Sequence, residues 1–198
     1  INEPALARWL PRLLPKGLPI MFSASSPIRD AISYSGESKL SRRFYSFRGA
    51  SGIDGTLSMA MGLSIDLGPL VLLTGDLSLL HDTNGWLFSC FIKSPLIVLL
   101  IDNGGGGIFK QIPIEESSFL NIDELFSMPQ HIDQLSLVDS YGIPNRQIST
   151  LEDLENSLDW GLSQSGAVLL RVCTNPSLDL HLRNDLKKYL VTQVKKIP

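Results

Sequence analysis

Apolar residues fall into two kinds of run along this chain, some at helical spacing and some unbroken. Residues 3–14 place Leu6, Leu10, Leu13 and Leu14 on one helical stripe, stopped by Pro15 and Gly17, and 18–22 is a short apolar run suited to a buried strand. Residues 43–47 make a second candidate strand, followed by a glycine-spaced turn over 49–55 and an apolar helical pattern over 56–65. The third unit is the clearest. An apolar strand over 69–74 ends in Gly75-Asp76, a helix is predicted over 79–92, and a second apolar strand over 95–101 ends in Asp102-Asn103. Beyond it, 121–128 and 131–141 are polar and partly amphipathic, 151–164 reads as a helix, 167–173 as a last buried strand and 178–194 as a terminal helix.

Strands that are apolar on both faces belong to parallel sheets covered by helices on each side, because neither face can tolerate water. The alternation therefore predicts an α/β fold, a doubly wound and mainly parallel sheet. Ligands of such sheets bind beyond the carboxyl ends of the strands, where the strand order reverses. The unusual residues of this chain collect at those ends: 23–29, 48–55, Gly75-Asp76 and 102–109.

Composition narrows the classes. At 198 residues and 43% hydrophobic, the chain can bury one good core, and a single domain is expected over 1–198. A net charge of -3, with no basic cluster interleaved with aromatics, argues against nucleic acid as a partner. The longest apolar stretch, 95–101, is far short of the roughly 20 residues of a spanning helix, so no transmembrane segment and a soluble, cytoplasmic protein are expected. Cys90 and Cys173 lie in apolar runs without partners at metal spacing, which reads as reduced core positions. The chain opens on Ile1 and passes directly into a helix, as a fragment of a longer protein would.

The strand ends carry the candidate chemistry. A hard cation such as Mg2+ takes about six oxygens, few of them from protein side chains, with phosphate oxygens completing the shell. Asp76 and Asn103 end successive strands and can supply two, with a carbonyl at Gly105 as a third, while Gly75 and Gly105 let the backbone approach a diphosphate. The glycines of 48–55 recur at three-residue intervals, unlike the dinucleotide turn, and the glycines of 104–107 lack the Lys-Ser/Thr of a nucleotide P-loop. His81 reads as a structural residue rather than a proton shuttle.

Gly-Asp, then a helix, a hydrophobic strand and an Asn resembles the signature of thiamine-diphosphate enzymes. The blocks SSPIRD from Ser25, RGASGIDG from Arg48, TGDLSLLHDTNG from Thr74 and DNGGGGIF from Asp102 resemble, in order and spacing, a narrower family. That family is the 2-succinyl-5-enolpyruvyl-6-hydroxy-3-cyclohexene-1-carboxylate synthases of menaquinone and phylloquinone biosynthesis, and the resemblance covers most of 20–113.

The resemblance implies a transferase that binds thiamine diphosphate and Mg2+ (or Mn2+), decarboxylates 2-oxoglutarate and adds the succinyl unit to isochorismate. Asp76, Asn103 and the Gly105 backbone would hold the metal; Gly52, Gly75 and Leu77 would join them around the cofactor. Ile53 would sit beneath the cofactor and hold its two rings bent, the catalytic role assigned within this chain. Ser25, Arg29 and Arg48 would meet substrate carboxylates, a task that suits the guanidinium fork, and Ile108 and Phe109 would line the isochorismate pocket. The family's activating glutamate would lie in a separate N-terminal pyrimidine-binding domain, contributed across the interface of a homo-oligomer, so this chain alone is expected to be catalytically silent. The sequence departs from the family pattern at Gly104 and Gly107, where polar side chains are common, leaving fewer contacts from that loop. Another thiamine-diphosphate enzyme, of the acetolactate synthase or 2-oxoacid decarboxylase type, and a non-catalytic phosphate-binding module stand as alternatives.

Overall fold

The computed structural model describes residues 1–36, 42–47, 49–112, 121 and 123–194. Six strands form one sheet: β1 (Ile20–Phe22), β2 (Phe44–Ser46), β3 (Leu70–Gly75), β4 (Leu96–Asp102), β5 (Asn145–Ile148) and β6 (Ala167–Cys173). Their order is β2-β1-β3-β4-β6-β5 and every pairing is parallel. The chain lays β2 on one side of β1, then returns to lay β3 on the other. The order thus reverses between β1 and β3, and their carboxyl ends open a crevice.

Side-chain alternation divides the core into two layers. Ile20, Phe22, Val71, Leu73, Ile97 and Leu99 face Leu6 and Leu10 of α1 (Glu3–Leu13), Ala31 of α2 (Ser26–Tyr34) and Leu154 and Leu158 of α6 (Leu151–Leu162). Met21, Leu70, Leu72, Val98 and Leu100 face Leu57 and Met61 of α3 (Thr56–Leu67), together with Trp86 and with Val138 of α5 (Gln134–Asp139). Buried on both faces, β3 and β4 carry the unbroken apolar runs that such a position demands. Fully burying each Leu or Ile contributes about 1.5–3 kcal/mol, so these two strands anchor the sheet.

Helix ends follow local chemistry. Asn2 caps α1 by accepting from Ala5 N at 2.8 Å, and Thr150 with Asp153 forms a capping box on α6. The helix expected over 79–92 is two pieces, α4 (Asp76–His81) and a 3-10 segment, Thr83–Phe91, so His81 closes a helix rather than opening one and is exposed. The break lies at Asp82, whose carboxylate accepts from Ser58 N (2.6 Å) and Ser58 Oγ (2.9 Å) of α3. Elements outside the expected set include α2, begun at Ser26-Pro27, and the polar edge strand β5. Cys90 and Cys173 are both exposed, correcting their assignment to the core. Cys90 lies on the outer side of the 3-10 segment, and Cys173 ends β6, where Gln147 Nε2 approaches its sulfur at 3.7 Å. The last described element is α7 (Pro176–Val194), which packs on α1. Among the described residues no helix is long and apolar enough to cross a membrane.

Candidate functional site

At the crevice lies a cleft of ≈ 360 Å³ lined by the ends of β1, β3 and β4 and by the loops that follow them. It gathers Ser25, Arg29, Ile53, Gly75, Asp76, Leu77, Asn103, Gly105, Ile108 and Phe109 on one surface. Gly52 adjoins Ile53, exposed on the rim. Arg48 lies outside the described residues.

Asp76 is the most constrained of these side chains. It follows Gly75, which pairs in register with Ile101 on β4, so the residues that follow the two strands face each other. Its Oδ1 accepts from Leu77 N at 2.7 Å, and its Oδ2 accepts from Gly105 N at 2.8 Å and Asn103 N at 3.2 Å. The residue is 3% exposed. Burial pushes its pKa up to about 6, outweighing the backbone donors that lower it. A buried carboxylate in this state gains from a cation placed against it.

Asn103 lies opposite. Its Nδ2 donates to Glu3 Oε1 at 2.7 Å, while its Oδ1 is buried without a partner among the described residues. The glycine loop folds around it. A Cβ at Gly107 would stand 2.7 Å from Asn103 Nδ2, and one at Gly105, where φ is +141°, would stand 2.3 Å from Ser127 O. Only glycine fits either place without displacement. Asp102 holds the loop's entry, accepting from Gly104 N at 3.2 Å and from Arg171 Nε at 2.7 Å.

Ile53 is fixed through its backbone. Its carbonyl accepts from Thr56 Oγ1 at 3.0 Å and Ser78 Oγ at 3.1 Å, and Ser78 lies two residues after Asp76 in the first turn of α4. The loop that carries Ile53 is therefore tied to the helix that carries the carboxylate. Ser25 precedes α2 with φ 72°, a left-handed backbone on a non-glycine residue, and its hydroxyl makes no capping bond to the helix. Such a conformation costs of order 1–3 kcal/mol and is held by its surroundings. Arg29 is exposed one turn further on, and Phe109 packs on Phe126 with ring centroids 5.7 Å apart.

The donor set suits a magnesium-like ion: one carboxylate, one side-chain amide oxygen whose lone pairs are unclaimed, and a backbone carbonyl. Gly105 O already accepts from Gly107 N at 3.0 Å, which leaves its second lone pair. No group of three His, Cys, Asp or Glu able to hold a metal occurs among the described residues. This agrees with an ion that takes few protein charges and completes its shell from phosphate and water.

Sequence reasoning missed Glu3, Ser78, Thr56 and the Asp102–Arg171 pair. Ser78 and Thr56 flank residues that were singled out, so their hydroxyls at helix starts offered a signal. Glu3 offered none, because it meets Asn103 across 100 positions of sequence.

Comparison with known proteins agrees with this geometry. The family model of the thiamine pyrophosphate enzyme C-terminal TPP-binding domain matches residues 31–172. A protein of Prochlorococcus marinus (strain MIT 9313) named 2-succinyl-5-enolpyruvyl-6-hydroxy-3-cyclohexene-1-carboxylate synthase is 54% identical over 100% of this chain and 34% of its own length. Proteins of the same name from Synechococcus sp. (strain CC9902) and P. marinus (strain NATL1A) are 56% and 57% identical, over 94% and 96% of this chain and 33% and 32% of theirs. The chain thus spans about a third of the length of the curated relatives it matches. A crystal structure of benzoylformate decarboxylase from Polynucleobacter necessarius shares the fold, with a TM-score of 0.74 at 21% identity, covering 89% of this chain and 33% of that one. With the family model covering well over half of it, the chain belongs to the thiamine pyrophosphate enzymes, as their C-terminal TPP-binding domain.

Proposed function

We propose that this chain forms the diphosphate-and-metal half of the active site of a 2-succinyl-5-enolpyruvyl-6-hydroxy-3-cyclohexene-1-carboxylate synthase, as one domain of a longer enzyme. The whole enzyme decarboxylates 2-oxoglutarate and joins the succinyl unit to isochorismate. The observation that carries the reading is the buried Asp76 carboxylate, which accepts from Asn103 N, together with an Asn103 Oδ1 that is buried without a partner among the described residues, at successive strand ends. Identity of 54–57% to proteins of that name supports the synthase reading over other thiamine-diphosphate enzymes.

Bound in the cleft, thiamine diphosphate supplies the electron sink that decarboxylation needs. The chain's own residues supply position and charge. Asp76, Asn103 Oδ1 and Gly105 O would hold Mg2+, and Gly75 and Leu77 would border the cofactor. Ile53, its carbonyl held by Ser78 and Thr56, would pack against the cofactor and keep its two rings close. Ser25 keeps its hydroxyl free of the helix, and Arg29, with Arg48, meets substrate carboxylates, where a planar guanidinium binds two oxygens at once. Ile108 and Phe109 form the apolar wall against the isochorismate ring, and this apolar side also excludes water from the reacting carbon.

A pyrimidine-binding domain outside these residues, brought by a second subunit of a homo-oligomer, completes the site in this reading. Exposed apolar side chains on α3 and the 3-10 segment, Met59, Leu87, Phe88 and Phe91, support such an interface. The test is an assay of the full-length protein with 2-oxoglutarate, isochorismate, thiamine diphosphate and Mg2+. Product formation that Asp76→Ala abolishes is expected. Turnover of pyruvate with no use of isochorismate would sink the synthase reading.

A further inference from the structure

Resting on that reading, we infer that Glu3, which itself lines the cleft, is a positioning residue for the metal site: it dictates which end of the Asn103 amide is left free of protein partners. An asparagine side chain offers an oxygen at one end and an NH2 at the other, and only the oxygen can bind a cation. Nothing within Asn103 chooses between them. Its own backbone N–H is engaged by Asp76 Oδ2 and is blind to the side-chain rotamer.

Glu3 makes the choice. Among the described residues, every side-chain hydrogen bond to its carboxylate comes from a donor: Asn103 Nδ2 at 2.7 Å and Thr174 Oγ1 at 3.4 Å on Oε1, and Arg183 Nη2 at 2.8 Å on Oε2. An acceptor on this side of Asn103 forces Nδ2 toward Glu3 and Oδ1 away from it, and Oδ1 is the atom left buried without a partner. Glu3 in turn cannot drift. It is 3% exposed at the first turn of α1, and Arg183, also 3% exposed on α7, binds both it and Asp30 of α2. Gly107 adjoins the same amide, and a Cβ there would stand 2.7 Å from Nδ2 and 3.2 Å from Oδ1. Helices from three parts of the chain therefore converge on the orientation of one amide.

The experiment uses the full-length protein saturated with thiamine diphosphate, titrated with Mg2+ by calorimetry, alongside thermal melting without metal. Glu3→Gln keeps the side chain's shape. Arg183 then claims the single amide oxygen, so the NH2 faces Asn103 and turns that amide over, presenting Nδ2 to the metal. Mg2+ affinity falls by about tenfold or more, the scale seen when outer partners of metal ligands are changed, while the melting temperature changes little. The double variant E3Q/N103D restores matching donors and acceptors at the same total charge, because an aspartate offers oxygen at both ends. Its Mg2+ affinity recovers to within about threefold of wild type, on the same scale.

A merely structural Glu3 gives a different pattern. E3Q binding Mg2+ like the wild type overturns the inference, as does a folded double variant that stays weak. If E3Q fails to melt cooperatively, the double variant alone decides, and failure of both to fold overturns it as well. Wild-type protein that binds no Mg2+ with the cofactor would overturn the proposed function itself, which separates the two failures.

Discussion

Replacing Asp179 by asparagine should make the chain more stable at neutral pH, and by an amount that depends on pH in a defined direction. Asp179 lies in the first turn of α7, 1% exposed, with Glu3 N donating to its Oδ2 at 3.5 Å. Burial is the largest influence on it and the neighbouring Glu3 charge adds to it, so its pKa rises from 3.8 to about 6 despite Arg183 nearby. A carboxyl group whose pKa is higher in the folded state than in the unfolded state holds its proton better when folded. Its contribution is fully present below the unfolded value and is lost as pH rises through about 6. At about 1.4 kcal/mol per unit, the shift corresponds to about 3 kcal/mol lost between acid and neutral pH. Asparagine fills the same volume, still accepts from Glu3 N and has no proton to lose. The stability of D179N minus that of wild type, from urea denaturation, should therefore grow by about 2.4 kcal/mol between about pH 4 and about pH 7.5. Asp30, likewise raised to about 6 in part by Asp179, moves the difference the same way. A difference that stays flat, or shrinks toward neutral pH, would refute the reasoning.

Two further outcomes are expected. Gly107→Ala places a methyl group 2.7 Å from Asn103 Nδ2 without any left-handed backbone demand at 107, so it should weaken Mg2+ binding by about tenfold while shifting Tm by less than about 2 °C, as read by metal titration and melting. Arg42→Ala removes a guanidinium that donates to Pro11 O (3.1 Å), Leu14 O (3.2 Å), Pro15 O (3.0 Å) and Leu18 O at the end of α1. A loss of about 2–3 kcal/mol is expected from charge-assisted bonds of this kind, or about 6 °C in Tm for a chain of this size.

The sheet was legible wherever burial was two-sided. β3, β4 and β6 have so little polar surface that their apolar runs mark them without ambiguity, and Asp76 and Asn103 stand where those runs stop. β5 escaped notice because, at the sheet edge, only Ile148 of its Asn-Arg-Gln-Ile is buried, and a polar tetrapeptide carries no period-2 signal. α2 escaped because Ser-Pro reads equally as turn or helix start, and its register shows only once Ala31 meets the core. The 79–92 run was apolar enough for a helix, yet Gly85 brings the backbone so near Leu57 and Ser58 of α3 that a tighter 3-10 turn replaces it. At the site, residues next to glycines in strand-end loops could be found from spacing. The partners that orient them could not, since Arg183 reaches Asp30 across 153 positions and Glu3 across 180.

That long reach has a consequence for how the molecule is made. The Arg183 cluster joins a helix near the beginning of these residues to the last one, so Glu3 cannot be held in place until α7 has left the ribosome and docked. The sheet, by contrast, can pair β1, β3 and β4 as soon as they emerge. Contacts so distant in sequence are among the slowest to close, and chains of this size fold through populated partial states. A nascent chain would therefore own a nearly complete scaffold while the Asn103 amide was still free to turn, and on the reading proposed above any cation would be captured after synthesis rather than during it.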